Sequence, residues 1–313
     1  MAISAKKFRN DLKRSGVFYT DKALAEEIRA LLPADVMEVY DPACGDGALL
    51  GIFHENVKKY GQDILPEQVA EAKQSIKNFQ GVVGDTLLEP AFANRRFQYI
   101  VANPPFSIKW EAERLKDDPR FSCAPVLPPQ SKADYAFILH ILYYLADGGT
   151  AAVLNFPGIL YRGQREGKIR EWIVRNNWIE KVIHIPGGHF EDTNIATALV
   201  VFKKGKVTTD IEFVDSENNI SRIVPFDEIE RNDFNLSVSV YVQQETEKEE
   251  IDPEKLQTDA RAVFIAKLKK ELDFDFMVCQ IEVEAGNGKA CFDFINFLEQ
   301  IQQVVNDYLA RAR

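Results

Sequence analysis

The sequence predicts an open α/β fold: a mostly parallel sheet with helices on both faces, binding a nucleotide-like ligand where its strands end. Three observations predict it. Residues 36–50 read as strand, Gly-x-Gly turn and helix, the opening unit of such a fold. Further short apolar, strand-like runs follow, with amphipathic helical segments between them. Asp41, Asp63, Asp85 and Asn103 each fall at the C-terminal end of one of these strands, the edge where an open parallel sheet takes its ligand.

The chain has 313 residues, enough for one large or two small domains. Its 46% hydrophobic and 27% charged residues are ordinary for a globular protein. A formal net charge of −10 excludes nucleic-acid binding by bulk charge, so any such contact needs a local basic strip or a basic partner. The four cysteines, Cys44, Cys123, Cys279 and Cys291, have neither metal-ligand nor disulfide-framework spacing. No metal is expected. A reducing cytoplasm is, since no signal peptide or membrane-spanning run is seen.

Taken in order, residues 1–14 form a basic arm, either a solvated tail or a DNA contact. Thr20 or Asp21 caps a helix whose inner face is Leu24, Ile28, Leu31 and Leu32. Residues 36–40 are the first strand, and Asp41-Pro42-Ala43-Cys44-Gly45-Asp46-Gly47 follows. Gly45 and Gly47 let a ligand approach the backbone closely. The third glycine of a dinucleotide fingerprint is missing, and no Gly-Lys-Ser/Thr follows, which excludes a P-loop. A second strand ends at Asp63, which lies 22 residues after Asp41. That is close to the roughly 20-residue offset of an acidic ribose-binding group; a helix N-cap is the other reading. Residues 67–79 are expected to be helical, with Val69, Ala72, Ile76 and Phe79 inward. The third strand, residues 81–84, runs into Asp85 and Thr86, where a carboxylate can accept an adenine amino group.

The fourth strand, residues 97–102, delivers Asn103-Pro104-Pro105-Phe106. Two prolines forbid helix and leave a stiff extended turn. The Asn amide oxygen and a proline carbonyl make a double acceptor, and the aromatic ring makes a stacking shelf. That set suits an exocyclic amino group on a flat ring; an ordinary Asn-Pro turn with a core Phe is the alternative.

Residues 107–131 read as a loop or lid, and residues 132–145 as a helix ended by Asp147-Gly148-Gly149. A fifth strand covers residues 150–156. Arg162, Arg165, Lys168 and Arg170 lie on a segment helical from about Gly167, either a phosphate-binding strip or a solvated face. Two more strands, residues 179–185 and 196–203, flank a loop with His189. A small β extension at 210–214 and 221–224 completes a domain of residues 15–243. An acidic linker, 244–254, leads to a helical region, 255–313, with helices at about 255–272 and 292–311. The last helix carries a stripe of Phe294, Phe297, Leu298, Ile301, Val304, Val305, Tyr308 and Leu309. It folds back on the domain or offers a face to a partner helix.

Several of these stretches resemble N6-adenine-specific DNA methyltransferases, in detail the modification subunit of type I restriction–modification systems. They are Gly16-Val17-Phe18-Tyr19-Thr20, the Asp41–Gly47 segment, Asn103-Pro104-Pro105-Phe106 and Ala133-Asp134-Tyr135-Ala136-Phe137, and more loosely residues 160–202 and Asn235-Leu236-Ser237. The resemblance implies a Rossmann-like seven-stranded sheet whose last strand is antiparallel, and S-adenosylmethionine as methyl donor. It places Tyr19, Thr20, Asp41, Pro42, Cys44, Gly45 and Gly47 at the donor's methionine end. Asp63 falls on its ribose, Ile64 on its adenine, and Asp85 and Thr86 on the adenine amino group. Asn103, shared with the donor site, then holds the target base with Pro104, Pro105 and Phe106. DNA, a specificity subunit and a restriction subunit are the implied partners. The family usually has a helical domain before the Phe-Tyr-Thr stretch, where only about fifteen residues stand here. Two rival functions stay open: the same fold methylating RNA or a protein amide, and a catalytically silent assembly subunit. No Pro-Cys dipeptide occurs, which argues against C5-cytosine chemistry.

Overall fold

A computed structural model describes residues 20–187, 196–243, 253–286 and 289–312. The chain divides into two compact units, Met1–Gln244 and Glu245–Arg313. The first helix, α1 (Lys22–Ala30), starts at Asp21, whose carboxylate accepts from Leu24 N at 2.7 Å. Strands β1 (Glu38–Asp41), β2 (Lys58–Asp63), β3 (Phe79–Val83), β4 (Phe97–Ala102), β5 (Leu145–Asn155), β6 (Ile179–Ile185), β7 (Thr197–Lys203), β8 (Ile211–Asp215) and β9 (Ile220–Val224) form one sheet. Its order is β3-β2-β1-β4-β5-β7-β6-β8-β9.

The first seven strands have the expected arrangement, with β7 antiparallel to both its neighbours. The two strands read as a small extension continue the same sheet: β8 pairs parallel with β6, and β9 antiparallel with β8. An open β6 edge would leave a row of unpaired backbone groups. Strand order reverses between β1 and β4, which puts a crevice beyond Asp41 and Asn103.

The central strands are buried on both faces, hence their unbroken apolar runs. Ile100 and Ala102 pack into one core and Val101 into the other; in β5, Ala151 and Val153 face opposite to Ala152 and Leu154. The second core receives Leu24, Ala25 and Ile28 of α1. The first receives an almost wholly buried helix at Asp134–Tyr144 and the inner face of another at Gln164–Arg175. In chain order the helices after α1 are α2 (Ala48–Gly51), α3 (Pro66–Ser75), α4 (Pro119–Ser122), α5 (Asp134–Tyr144), α6 (Gln164–Arg175), α7 (Phe226–Arg231) and α8 (Val238–Tyr241).

Several boundaries differ from the sequence expectation. Helix α3 stops at Ser75 because Ile76 turns extended (φ −108°, ψ 123°); Asn78 is then left-handed (φ 59°), and Phe79 opens β3 instead of closing a helix. Helix α6 starts at Gln164, three residues before Gly167. Helix α5 passes directly into β5, whose Leu145 pairs with Phe97 and whose Thr150 pairs with Tyr99. The Asp147-Gly148-Gly149 segment is therefore a bulge within a strand, not a terminator ahead of one.

The second unit holds α9 (Pro253–Glu284) and α10 (Lys289–Ala312). Helix α9 runs about a dozen residues past the expected end, because no Gly or Pro interrupts it before Gly286. Phe276 of α9 meets Phe294 of α10 at 6.4 Å between ring centres. Most of the α10 stripe is exposed, Val304 at 55% and Tyr308 at 67%. Among the described residues no helix is long and apolar enough to cross a membrane.

Candidate active site

Strand β1 ends in Asp41, fully buried beneath the turn it starts. Ala43 N donates to Asp41 Oδ1 at 2.9 Å. Burial pushes the Asp41 carboxyl up to about 8, with the negative charge of Asp63 adding to the rise. Over the window from 3.8, the carboxyl's ordinary value, to about 8 the native state therefore holds a proton that the unfolded chain has lost. Asp41's contribution to stability therefore falls as pH rises through that window. We expect Asp41→Asn to flatten this slope, read as the pH dependence of Tm; an unchanged slope would contradict the assignment.

The turn closes with Gly47 N on Cys44 O at 2.8 Å. Gly45 and Gly47 have φ of 51° and 88°, the left-handed region that glycine enters without strain. Gly47 does not line the cavity: a Cβ there would collide with Ile76 Cδ1. Gly47→Ala should therefore cost about 2 kcal/mol or more, from the left-handed backbone and the clash together, measurable by chemical denaturation.

Asp63 ends β2 and is half-buried. Its Oδ2 accepts from Gly45 N at 2.8 Å and its Oδ1 from Leu65 N at 3.0 Å. Leu65, not Asp63, is the N-cap of α3. Desolvation raises the Asp63 carboxyl. Each oxygen retains further acceptor capacity toward the cavity. Ile64 stands beside it at 61% exposed, an apolar side chain left on the cavity wall. Asp85 follows β3 and accepts from Leu87 N at 2.8 Å and Leu88 N at 3.2 Å. Thr86 is buried and donates to Pro42 O at 2.6 Å, so its hydroxyl ties two strand ends together.

Asn103 follows β4. Its Nδ2 donates to Thr20 Oγ1 at 3.0 Å, so the amide nitrogen is the donor end and the oxygen the acceptor end. Asn103 and Pro105 line the cavity; Pro104 is buried and Phe106 half-buried, both outside that lining. The turn is pinned just behind. Ser107, with φ 54°, donates its N–H to Asp134 Oδ1 at 2.9 Å and its hydroxyl to Asp134 Oδ2 at 3.3 Å. Asp134 is buried and faces Arg162 at 3.4 Å, which also meets Glu166 at 3.4 Å.

These pieces enclose a cavity of about 290 Å³ at the switch point. Thr20, Asp41, Pro42, Cys44, Gly45, Asp63, Ile64, Asp85, Thr86 and Asn103 all line it. Tyr19 and His189 lie outside the described residues. Sequence reading missed part of the wall: Gln68 from α3, Leu87, Phe137 from α5, and Lys109, Trp110 and Glu111 from the segment read as a lid. Trp110 is held by its indole N–H on Pro129 O at 3.0 Å. Phe137 lay in a quoted motif; the others carry no local signal.

One basic residue departs from expectation, and another carried none. Arg170, placed on a phosphate strip, is buried and donates to the carbonyls of Phe234 (2.7 Å), Ile159 (3.1 Å) and Arg162 (2.8 Å). It fastens helix α6 to distant chain and cannot reach a phosphate. Arg120, unremarked in sequence, is 2% exposed and reaches Asp118, Thr86 O, Leu87 O and His140 Nδ1. Burial holds His140 neutral, well below its usual range. Its Nδ1 thus accepts from Arg120, and its Nε2–H donates to Tyr40 Oη at 3.2 Å.

A family model described as N-6 DNA Methylase matches residues 5–223. The chain is 33% identical to the Type I restriction enzyme MpnII methylase subunit of Mycoplasma pneumoniae, over 78% of this chain and 56% of that one. It is 30% identical to the Type I restriction enzyme HindI methylase subunit of Haemophilus influenzae, over 65% of this chain and 50% of that one. The chain thus spans about half the length of the curated relatives it matches. Among solved structures, the type I restriction-modification system methyltransferase subunit from Streptococcus thermophilus superposes with a TM-score of 0.67 at 29% identity, covering 73% of this chain and 60% of that one.

Proposed function

The chain belongs to the N-6 DNA methylase family, and from that premise we propose that it moves a methyl group from S-adenosylmethionine to the N6 amino group of adenine in DNA. It would do so as the modification subunit of a type I-like restriction–modification system in the cytoplasm. The observation that carries this reading is Asn103, at the end of β4, presenting an oriented amide to a cavity walled by Asp41, Asp63 and Asp85.

The cavity's donor set fits the methyl donor. Asp63 offers acceptors for ribose hydroxyls, Ile64 an apolar face for adenine, and Asp85 an acceptor for its amino group. Thr20 and the Asp41–Gly45 turn take the methionine end. When bound, the donor supplies an electrophilic methyl on a positively charged sulfur. The protein's part is positioning and electrostatics. The adenine is extruded from the duplex at a cost of a few kcal/mol and stacks on Phe106. Asn103 Oδ1 and the Pro104 carbonyl accept the two N6 hydrogens, which localises the nitrogen lone pair and aims it at the methyl. Such oriented acceptors act without reorganisation at the moment of transfer. No covalent intermediate is needed.

Residues 15–243 would be the catalytic domain, and residues 255–313, past the acidic linker, an assembly module. The exposed stripe on α10 suits a helical partner such as a specificity subunit, with a restriction subunit joining the complex; the relatives are, by name, subunits of restriction enzymes. The test is transfer of labelled methyl from S-adenosylmethionine to unmethylated duplex DNA, to RNA and to protein. Label in duplex adenine is expected. Label only in RNA or protein, or in none of them, would reject the reading.

A further inference from the structure

Beside the catalytic turn lies a second depression, a cleft of about 690 Å³. Lys109, Lys132 and Arg165 stand on its wall with Gln130, Ser131 and Glu166. Lys109 lines this cleft and the donor cavity alike, so the two are contiguous. The Ser107–Asp134–Arg162 chain joins the cleft's rim to the Asn103–Phe106 turn. The one carboxylate in the wall, Glu166, meets Arg162. Lys109, Lys132 and Arg165 form no ion pair among the described residues. In a chain of net charge −10 that is a local reversal of sign. The first turn of α6 makes the far wall, and its N-cap, Gly163, supplies no side-chain cap.

We propose that this cleft seats the sugar–phosphate backbone of the DNA strand whose adenine is extruded, with Lys132 and Arg165 on the flanking phosphates. The inference rests on the function proposed above and gives it a docking direction. Gln130 and Ser131 add neutral donors of the kind that contact phosphate oxygens. The cleft's closeness to Asn103 lets the backbone stay held while the base swings into the turn. Of the basic residues expected to meet DNA, Arg165 keeps that role, Arg162 is held between two carboxylates, and Arg170 gives way to Lys132.

The test compares the full chain with the Lys132→Ala/Arg165→Ala variant. The probe is a short labelled duplex with an adenine opposite an abasic site, titrated in the presence of S-adenosylhomocysteine across a range of salt. The variant should bind more weakly, with a log–log salt slope shallower by about two, one per phosphate contact removed. Its affinity for S-adenosylhomocysteine, read by calorimetry, should match the parent's. Lys132→Arg/Arg165→Lys should restore the slope. An unchanged slope in the Ala variant, with the parent still methylating duplex, would overturn the cleft assignment and leave the function standing. A parent that transfers no methyl to DNA would overturn both. Loss of binding to single-stranded RNA but not to the duplex would overturn DNA as the occupant.

Discussion

Asn103→Ala will lower methyl transfer by about 10²–10³-fold, or about 3–4 kcal/mol of transition-state stabilisation, the loss seen when one oriented polar group is removed from a reacting centre. Donor affinity should change only a few-fold, because the proposed donor contacts of Asp63, Asp85 and the glycine turn do not run through this side chain. The asymmetry follows from geometry. The Asn103 amide nitrogen donates to Thr20, on the donor side of the cavity. In the proposed function its oxygen serves the acceptor side. Single-turnover rates and calorimetric donor titration separate the two quantities. A variant with parental turnover, or one whose donor binding collapses in parallel with its rate, would contradict the role assigned.

Arg120→Met should destabilise the first unit by about 3–5 kcal/mol, the usual effect of breaking a buried ionic network from one side. The substitution keeps an apolar stem of similar length but removes every donor. It strands the carbonyls of Thr86 and Leu87, the ring nitrogen of His140 and the carboxylate of Asp118. Thr86 and Leu87 also line the cavity, so donor affinity should fall as well. Arg120→Lys, with a single cationic head, should recover part of the stability. Urea denaturation with and without S-adenosylhomocysteine measures both effects. A loss below about 1 kcal/mol would mean that the network contributes no more than a surface ion pair.

The sheet and the cavity's rim were legible in the sequence for a local reason. Glycine turns, paired prolines and carboxylates at strand ends announce themselves within a few residues. The seven strands and the antiparallel last one followed from the resemblance those residues carry. What stayed hidden depends on distant partners. Arg170 read as a surface cation, and Arg120 drew no reading, because burying a guanidinium is costly unless its donors are met. Here backbone carbonyls meet them, Phe234 O for Arg170 and Thr86 O for Arg120, and no sequence pattern pairs residues so far apart. The Asp147–Gly149 segment misled for another reason. Its glycines mark a bend, and only the pairing of Leu145 with Phe97 shows that the strand has already begun. Trp110 and Lys109 reach the cavity from an irregular segment whose course no periodicity predicts.

A crystal structure of the full chain with S-adenosylhomocysteine tests the donor cavity and its acceptor clamp together. The ribose hydroxyls should lie on Asp63, the adenine against Ile64 with its amino group at Asp85, and the sulfur should face the Asn103 amide. A sulfur turned away from Asn103, or a nucleoside seated anywhere other than the cavity beyond β1 and β4, would contradict the account.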